Sequence, residues 1–224
     1  MKKHKICVVG AGMWGSNHIR TLDKLNYLAG IVEIEENLYN KYSKKYSNSK
    51  IKLFSNLSSA LQSNDFDGFI VASPAETHFS IAKKIIKRKK HLLIEKPLAL
   101  NYKDAKELYN LSENYDVNLM VGHVMLFHPA INKIKELISS GKIGKLQYIY
   151  SNRLNLGQIR KEENVFWSLA PHDISIFQYF TESYPSRIDS NGGIFIQNGV
   201  YDSTITFLEY PENIKGHIFV SWLH

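Results

Sequence analysis

The sequence predicts an α/β protein. A doubly wound parallel sheet comes first, and an α+β unit with an open, mainly antiparallel sheet follows it. Three observations carry this. Over residues 1–122, short apolar runs alternate with stretches whose apolar residues recur at helical spacing. Strands separated by helices cannot pair as hairpins, so they join in parallel. After residue 122 the strands follow one another with few helices between them, the signature of an antiparallel or mixed sheet covered on one face. Finally, a glycine-rich turn lies directly between the first apolar run and the first helical stretch.

The elements follow in order. Ile6–Val9 is a strand, and the helix after it presents Ile19, Leu22 and Leu25. Leu28–Ile34 is the second strand, followed by a helix carrying Tyr39, Tyr42 and Tyr46. Lys52–Phe54 is a short strand and Asn56–Leu61 a short helix. Phe69–Val71 precedes a helix containing Ile81 and Ile85, Leu92–Ile94 precedes a helix running from Asn101 through Leu108, and Asn118–Val121 closes the series. The domain boundary is expected near Gly122, dividing the chain into 1–122 and 123–224. In the second part, Ala130, Ile131, Ile134, Leu137 and Ile138 form one helical face, with Pro129 suited to the first turn. Strands are expected at Leu146–Leu154, Arg187–Ile196, Thr204–Leu208 and Ile214–Trp222, with a helix around His172–Phe180. The last strand stops at His224 without turn or tail, so this sheet is expected to be incomplete and Ile214–Trp222 to be an exposed edge.

Composition narrows the function classes. The 224 residues are 44% hydrophobic and 22% charged, the balance of a globular protein. No apolar run approaches the ~20 residues of a membrane span. The basic start Met1-Lys2-Lys3-His4-Lys5 is followed by only Ile6–Val9 before glycine, too short for a secretory core of roughly 7–15 residues. Cys7 is the single cysteine, so no internal disulfide is possible, and a cytoplasmic protein is expected. The net charge of +7 allows nucleic acid, a membrane surface or an anionic small substrate as partner. Its densest run, Lys83, Lys84, Lys87, Arg88, Lys89 and Lys90, interleaves with Ile81, Ala82, Ile85 and Ile86 as a solvated helix face. No zinc spacing or nucleic-acid motif is present, so neither a metal nor nucleic acid is expected.

Gly10-Ala11-Gly12-Met13-Trp14-Gly15 has the G-x-G-x-x-G form between strand and helix, and this whole loop is the expected dinucleotide site. Gly10 permits the tight turn, Gly12 the approach of a pyrophosphate, and Gly15 close packing of helix on strand. The helix N-terminus supplies unpaired N–H groups and a positive dipole end. Such loops are followed about 20 residues on by a carboxylate for the ribose hydroxyls, and Glu33 stands 18 residues after Gly15. A carboxylate there repels a 2′-phosphate, which favours NAD over NADP. The alternative is that Glu33 merely faces solvent at a strand end.

Glu95-Lys96-Pro97 follows an apolar strand, which places a lysine at the carboxyl edge of the parallel sheet. Proline restricts Lys96 to an extended backbone. An ammonium fixed there can stabilise a developing alkoxide; the bland alternative is a surface turn. Together with the early glycine loop and Ala72-Ser73-Pro74-Ala75-Glu76-Thr77-His78, this motif resembles the Gfo/Idh/MocA oxidoreductases, and the resemblance covers the whole chain, although the family is appreciably longer. It implies a Rossmann domain followed by an α+β domain. It also implies NAD as cofactor, Lys96 as the catalytic lysine, and a peptide before Pro97 that is commonly cis. Ser73, Pro74, His78 and Glu95 would line the nicotinamide side, and Pro97 would belong to the same cofactor site.

The family's second hallmark is Asp-x-x-x-His at the start of a helix, matched here by Ser168-Leu169-Ala170-Pro171-His172. The histidine is present and the aspartate is replaced by Ser168. The resemblance makes His172 the general base. In the first helical turn, beside Pro171, the dipole would favour neutral imidazole, while Asp173 would oppose this; helix capping is the alternative role. The segments from Gly122 to Ala130 and from Asn152 to Arg160 are similar to those of bacterial nucleotide-sugar 3-dehydrogenases. Arg153, Asn155 and Arg160 are then candidates for a diphosphate or an N-acetyl sugar. His123 stands either near the nicotinamide or bonded to backbone, His128 reads as structural, and Trp167 either stacks on substrate or belongs to the core. The expected function is NAD-dependent oxidation of a ring hydroxyl, at C3, of a nucleotide sugar such as UDP-N-acetylglucosamine. The alternatives are a 3-ketoreductase on a nucleotide deoxysugar and a non-catalytic NAD-binding regulator. Homo-oligomers formed through the second sheet, if that sheet is complete, are expected from the same resemblance.

Overall fold

The computed structural model describes residues 4–156, 159 and 163–224. The chain divides into two compact units, residues 1–122 and 123–224.

In the first unit the strands are β1 (Ile6–Val9), β2 (Leu28–Val32), β3 (Lys52–Phe54), β4 (Gly68–Val71), β5 (His91–Ile94) and β6 (Leu119–Val121). They form one sheet in the order β3-β2-β1-β4-β5-β6, every neighbour parallel. Strands covered on both faces read as unbroken apolar runs: in β1, Cys7, Val8 and Val9 are buried, and all of β4 is buried. Helices α1 (Met13–Lys24), α2 (Glu36–Lys45), α3 (Leu57–Ser63), α4 (His78–Lys87) and α5 (Tyr102–Asn114) make the crossovers. Several starts are written in the sequence as side-chain caps. Asn56 accepts from Ser59 N–H, Asn101 from Asp104 N–H, and Glu35 from Asn37 and Leu38 N–H. Those two bonds hold the Glu35 carboxyl below its ordinary range. On α4, His78, Ala82, Ile85 and Ile86 face the core, while Lys84, Lys87, Arg88 and Lys89 are exposed and Lys83 pairs with Glu107 at 2.6 Å. The basic run is a solvated face.

In the second unit, α6 (Pro129–Ser139) starts with Pro129 in its first turn and His128 as its cap. A mixed sheet contains β7 (Tyr148–Leu154), β8 (Arg187–Gly193), β9 (Ser203–Glu209) and β10 (Lys215–Ser221) in the order β7-β10-β9-β8. The β10–β9 and β9–β8 pairs are antiparallel, and β10–β7 is parallel. Helix α7 (Val165–Thr181) covers one face. Its Val165, Ala170, Phe177 and Phe180 pack in one core with Leu208, Ile218, Val220 and Trp222. On the other face Tyr148, Tyr150, His217 and Phe207 cluster, with the Tyr148 hydroxyl 2.7 Å from His217 Nδ1.

Two expectations are corrected here. The last strand is not an edge: β10 lies between β7 and β9, and its two ladders occupy both sides. The edges are β7 and β8. The parallel return of β10 beside β7 is a long-range pairing that no local pattern announces. Secondly, α7 begins seven residues before His172, at Val165, because Asn164 caps it by accepting from Trp167 N–H at 3.0 Å. Pro171 therefore lies inside the helix rather than at its start. Such a proline costs about 3 kcal/mol of helix propensity, and burial of the apolar faces on both sides of it offsets that cost.

Candidate functional site

In the first unit the loops after β1, β4 and β5 meet at the carboxyl end of the sheet, where β1 and β4 mark the reversal of strand order. The glycine loop is built for close approach. Gly10 has φ +89°, and a Cβ on it would stand 2.9 Å from Ala72 O and Ser73 N. A Cβ on Gly15 would overlap the Gly10 carbonyl. Gly12 is different: nothing lies within 4 Å of the position its Cβ would take. It is also the cap residue of α1, with no side chain bonded to the helix start. An uncapped helix N-terminus behind an open glycine suits a pyrophosphate. Met13 and Trp14, in the same turn, are exposed by 80% and 50%, which leaves both side chains available to a ligand.

Glu33 does not face solvent; it is 6% exposed. Its Oε2 accepts from Ala11 N–H at 2.6 Å, and Oε1 accepts from Ile34 and Glu35 N–H at 2.8 and 2.9 Å. The carboxylate is thus fixed beneath the glycine loop by three backbone donors. A carboxylate has about four lone-pair sites, so one acceptor position is left for a ribose hydroxyl.

The two loops that follow are tied together. Ser73 Oγ lies 2.7 Å from Thr77 Oγ1, which donates to Pro74 O at 2.7 Å. Pro74 is exposed. His78 is 1% exposed, with Nε2 2.8 Å from Ser73 O and Nδ1 2.8 Å from Pro97 O. Its ring clamps the loop after β4 to the loop after β5 instead of lining a surface. The Lys96–Pro97 peptide is cis. Glu95 Oε1 lies 2.7 Å from His18 Nε2, both side chains being mostly buried. Burial raises the Glu95 carboxyl. The hydrogen bond and charge of His18, with the backbone N–H and ammonium of Lys96, outweigh burial and leave the carboxyl below its ordinary value. His18 and Thr77 are the residues that sequence reasoning missed. The one available signal for His18 was its place between Gly15 and Ile19 on the buried face of α1.

In the second unit His172 lies in the middle of α7, one turn beyond Ser168, so both project from the same side of the helix. The dipole argument made for a first-turn histidine does not apply, and neither does the capping role. Ser168 is 7% exposed. Asp173, 3% exposed, is fully engaged: Arg153 binds it through Nε and Nη2, each at 2.8 Å, and Ser151 Oγ donates at 2.7 Å. Hydrogen bonding to Asp173 pushes the guanidinium further up, against the effect of burial. Arg153 is therefore first an internal partner. Its remaining N–H groups belong to a side chain that is 31% exposed. Asn155 is exposed, and its backbone N–H donates to Ser221 O at 3.0 Å. His123 is partly buried at the head of a short 3-10 turn, where its carbonyl accepts from Leu126 N–H. His128 caps α6. Trp167 is partly buried. Arg160 lies outside the described residues. Among the described residues no group of three or more His, Cys, Asp or Glu is arranged to hold a metal, and no helix is long and apolar enough to cross a membrane.

Two family profiles match. Residues 4–123 match the oxidoreductase family with an NAD-binding Rossmann fold, and residues 131–224 match the GFO/IDH/MocA C-terminal domain. An uncharacterised oxidoreductase of Streptococcus pneumoniae is 27% identical, covering 76% of this chain and 50% of its own length. Myo-inositol 2-dehydrogenase of Thermotoga maritima is 24% identical, covering 96% of this chain and 67% of its own. The chain thus spans about half to two thirds of the length of the curated relatives it matches. Among solved structures, the WlbA dehydrogenase of Bordetella pertussis, in complex with NADH and UDP-GlcNAcA, superposes with a TM-score of 0.89. It is 18% identical, and the match covers 100% of this chain and 73% of that one.

Proposed function

The chain belongs to the GFO/IDH/MocA oxidoreductase family, and on that premise we propose that it works in the NAD-dependent oxidation of a ring hydroxyl, at C3, of a nucleotide sugar such as UDP-N-acetylglucosamine. The observation that carries the reading is the meeting of three loops at one end of the first sheet. Gly10 packs on Ala72 and Ser73, and His78 joins Ser73 to Pro97. The dinucleotide loop and the lysine motif are thereby parts of one construction.

NAD, when bound, supplies the hydride acceptor. The residues that fit it are the Gly10–Gly15 loop and α1 N-terminus for the pyrophosphate, and Glu33 for the adenosine ribose. Two side chains are assigned to the chemistry. His172 accepts the proton of the substrate hydroxyl. Lys96 holds a positive charge for the oxygen as it becomes an alkoxide. The charge of Lys96 is one of the causes that hold the neighbouring Glu95 carboxyl low. Arg153, fixed by Asp173, offers its remaining N–H groups to an anionic or acetamido group. Asn155 and Arg160 are assigned to the same polar end of the substrate, and His123 to the nicotinamide side.

The nucleotide part of the substrate is supported by the two sequence segments around Gly122–Ala130 and Asn152–Arg160 and by the fold shared with WlbA. Ser168, which stands where the family has aspartate, favours a second reading, a non-catalytic NAD-binding regulator. One screen separates these. The full chain is mixed with NAD and, in turn, UDP-N-acetylglucosamine, its uronic acid, a nucleotide deoxysugar and myo-inositol, and NADH absorbance is followed. NADH should form with the UDP sugars and not with myo-inositol. Formation with myo-inositol alone contradicts the substrate assignment, and NAD binding without turnover on any of them supports the regulator.

A further inference from the structure

We propose that His18 is a positioning residue for Lys96: its Nε2 holds the Glu95 carboxylate, and that carboxylate both fixes the Lys96 peptide and faces its ammonium with a negative charge. The proposal rests on the reading of Lys96 as the working lysine.

The chain of contacts is short. His18 Nε2 lies 2.7 Å from Glu95 Oε1 with side-chain exposures of 23% and 15%, so solvent screens the pair only in part. Glu95 also accepts the backbone N–H of the next residue, Lys96, and interacts with its charge. The far side of the carboxylate is closed by backbone: a Cβ on Gly122 would stand 3.1 Å from Glu95 Oε2. The motif strand is anchored behind it, since Glu95 N–H donates to Val71 O and Gly122 N–H to Ile94 O. The carboxylate thus stands between the Gly122 backbone on one side and His18 of α1 on the other. His18 stands on the helix whose uncapped N-terminus forms the dinucleotide site, so a single hydrogen bond links the cofactor helix to the lysine motif. Interaction between the two charges is mutual: the ammonium lowers the carboxyl, and the carboxylate favours the ammonium.

The test reads Lys96 itself, without turnover. The full chain is labelled with a trace of acetic anhydride at neutral pH. The acetylation rate of Lys96 is measured by peptide mass spectrometry against exposed Lys87, in the parent and in His18→Phe, His18→Gln and Glu95→Gln. Only the unprotonated amine reacts. Glu95→Gln and His18→Phe should raise the Lys96 rate by about two- to fivefold, the worth of one partly screened ion pair. His18→Gln keeps a donor near the same place and should stay close to the parent. NADH affinity, followed by fluorescence, should be unchanged in the two His18 variants. A parent-like rate in His18→Phe beside a raised rate in Glu95→Gln overturns the proposal, because His18 then does not act through the carboxylate. Equal acceleration in His18→Gln and His18→Phe also overturns it, because ring packing and not the hydrogen bond would be responsible. Loss of NADH binding in His18→Phe with unchanged labelling would assign His18 to the glycine loop instead. If circular dichroism shows that His18→Phe does not fold, Glu95→Gln against His18→Gln decides, with a fast and a slow rate expected and equal rates contrary. A chain that shows the expected rates but no dehydrogenase activity would sink the proposed function and leave the positioning role standing.

Discussion

Glu33 is proposed to serve two purposes with one carboxylate. Three backbone N–H groups hold it, one of them from the glycine loop, and it keeps room for a ribose hydroxyl. Replacing it by alanine should weaken NAD binding for both reasons, since hydrogen bonds to a charged group are worth about 1.5–3 kcal/mol each. The loosened loop penalises NAD and NADP alike, whereas removal of the negative charge relieves only the 2′-phosphate. The ratio of the two affinities is therefore the informative quantity. The parent should prefer NAD, and Glu33→Ala should narrow the gap while lowering NAD affinity; titration of both cofactors by protein fluorescence checks this, and equal affinities in the parent would refute the role. That Glu33 stands just past the second strand was legible from its distance to Gly15. That it would be buried and held from the loop was not, because a hydrogen bond between Ala11 and Glu33 spans 22 residues and leaves no local pattern. Arg153 shows the same limit. As an isolated arginine it invites a substrate anion, and its bidentate grip on Asp173 becomes visible only when β7 and α7 are brought together.

At the scale of elements, strands and caps were legible wherever neighbours in sequence decide the matter. The run Ile6–Val9, the Asn101 cap and Pro129 in the first turn of α6 all follow from local chemistry. The start of α7 was misread because Pro171 resembles a helix-opening proline, while Asn164, the residue that does cap the helix, lies about two turns upstream. The pairing of β10 was misread because parallel return beside β7 depends on the whole sheet. Helix α7 and β7 are joined by the Arg153–Asp173 pair, and this gives an energetic expectation. Removing one partner of a buried pair leaves the other uncompensated and costs about 3–5 kcal/mol. Asp173→Ala should fall near the lower end of that range, because Arg153 retains some contact with water. Urea unfolding followed by tryptophan fluorescence, which samples Trp222 in this core, measures it. Arg153→Met should cost more, since it leaves the 3% exposed Asp173 carboxylate with only the Ser151 hydroxyl as partner. A loss in Asp173→Ala no larger than an exposed substitution gives would show that the pair is not structural.

At the scale of the molecule, the strand order of the first sheet does the main work. It sets β1 beside β4 and β4 beside β5, so that Gly10, Ser73 and Lys96, far apart in the chain, belong to neighbouring loops. Once the fold class was recognised, that convergence was predictable, because a parallel sheet carries its ligands at its carboxyl edge. His18, which ties α1 to Glu95, and Thr77, which closes the loop after β4 on itself, were not, since each is chosen by contact rather than by pattern. His172 stands in the middle of α7, directly after Pro171. The central claim is that Lys96 and His172 carry out proton chemistry on a substrate hydroxyl in an NAD-dependent oxidation. The most direct measurement is NADH formation by the full chain with its best nucleotide-sugar substrate, compared with Lys96→Ala and His172→Ala under saturating NAD. Each variant should lose about 10²–10⁴-fold in turnover, the usual worth of a general acid or base, while binding NAD as the parent does. Turnover at the parent's rate in either variant would contradict the claim.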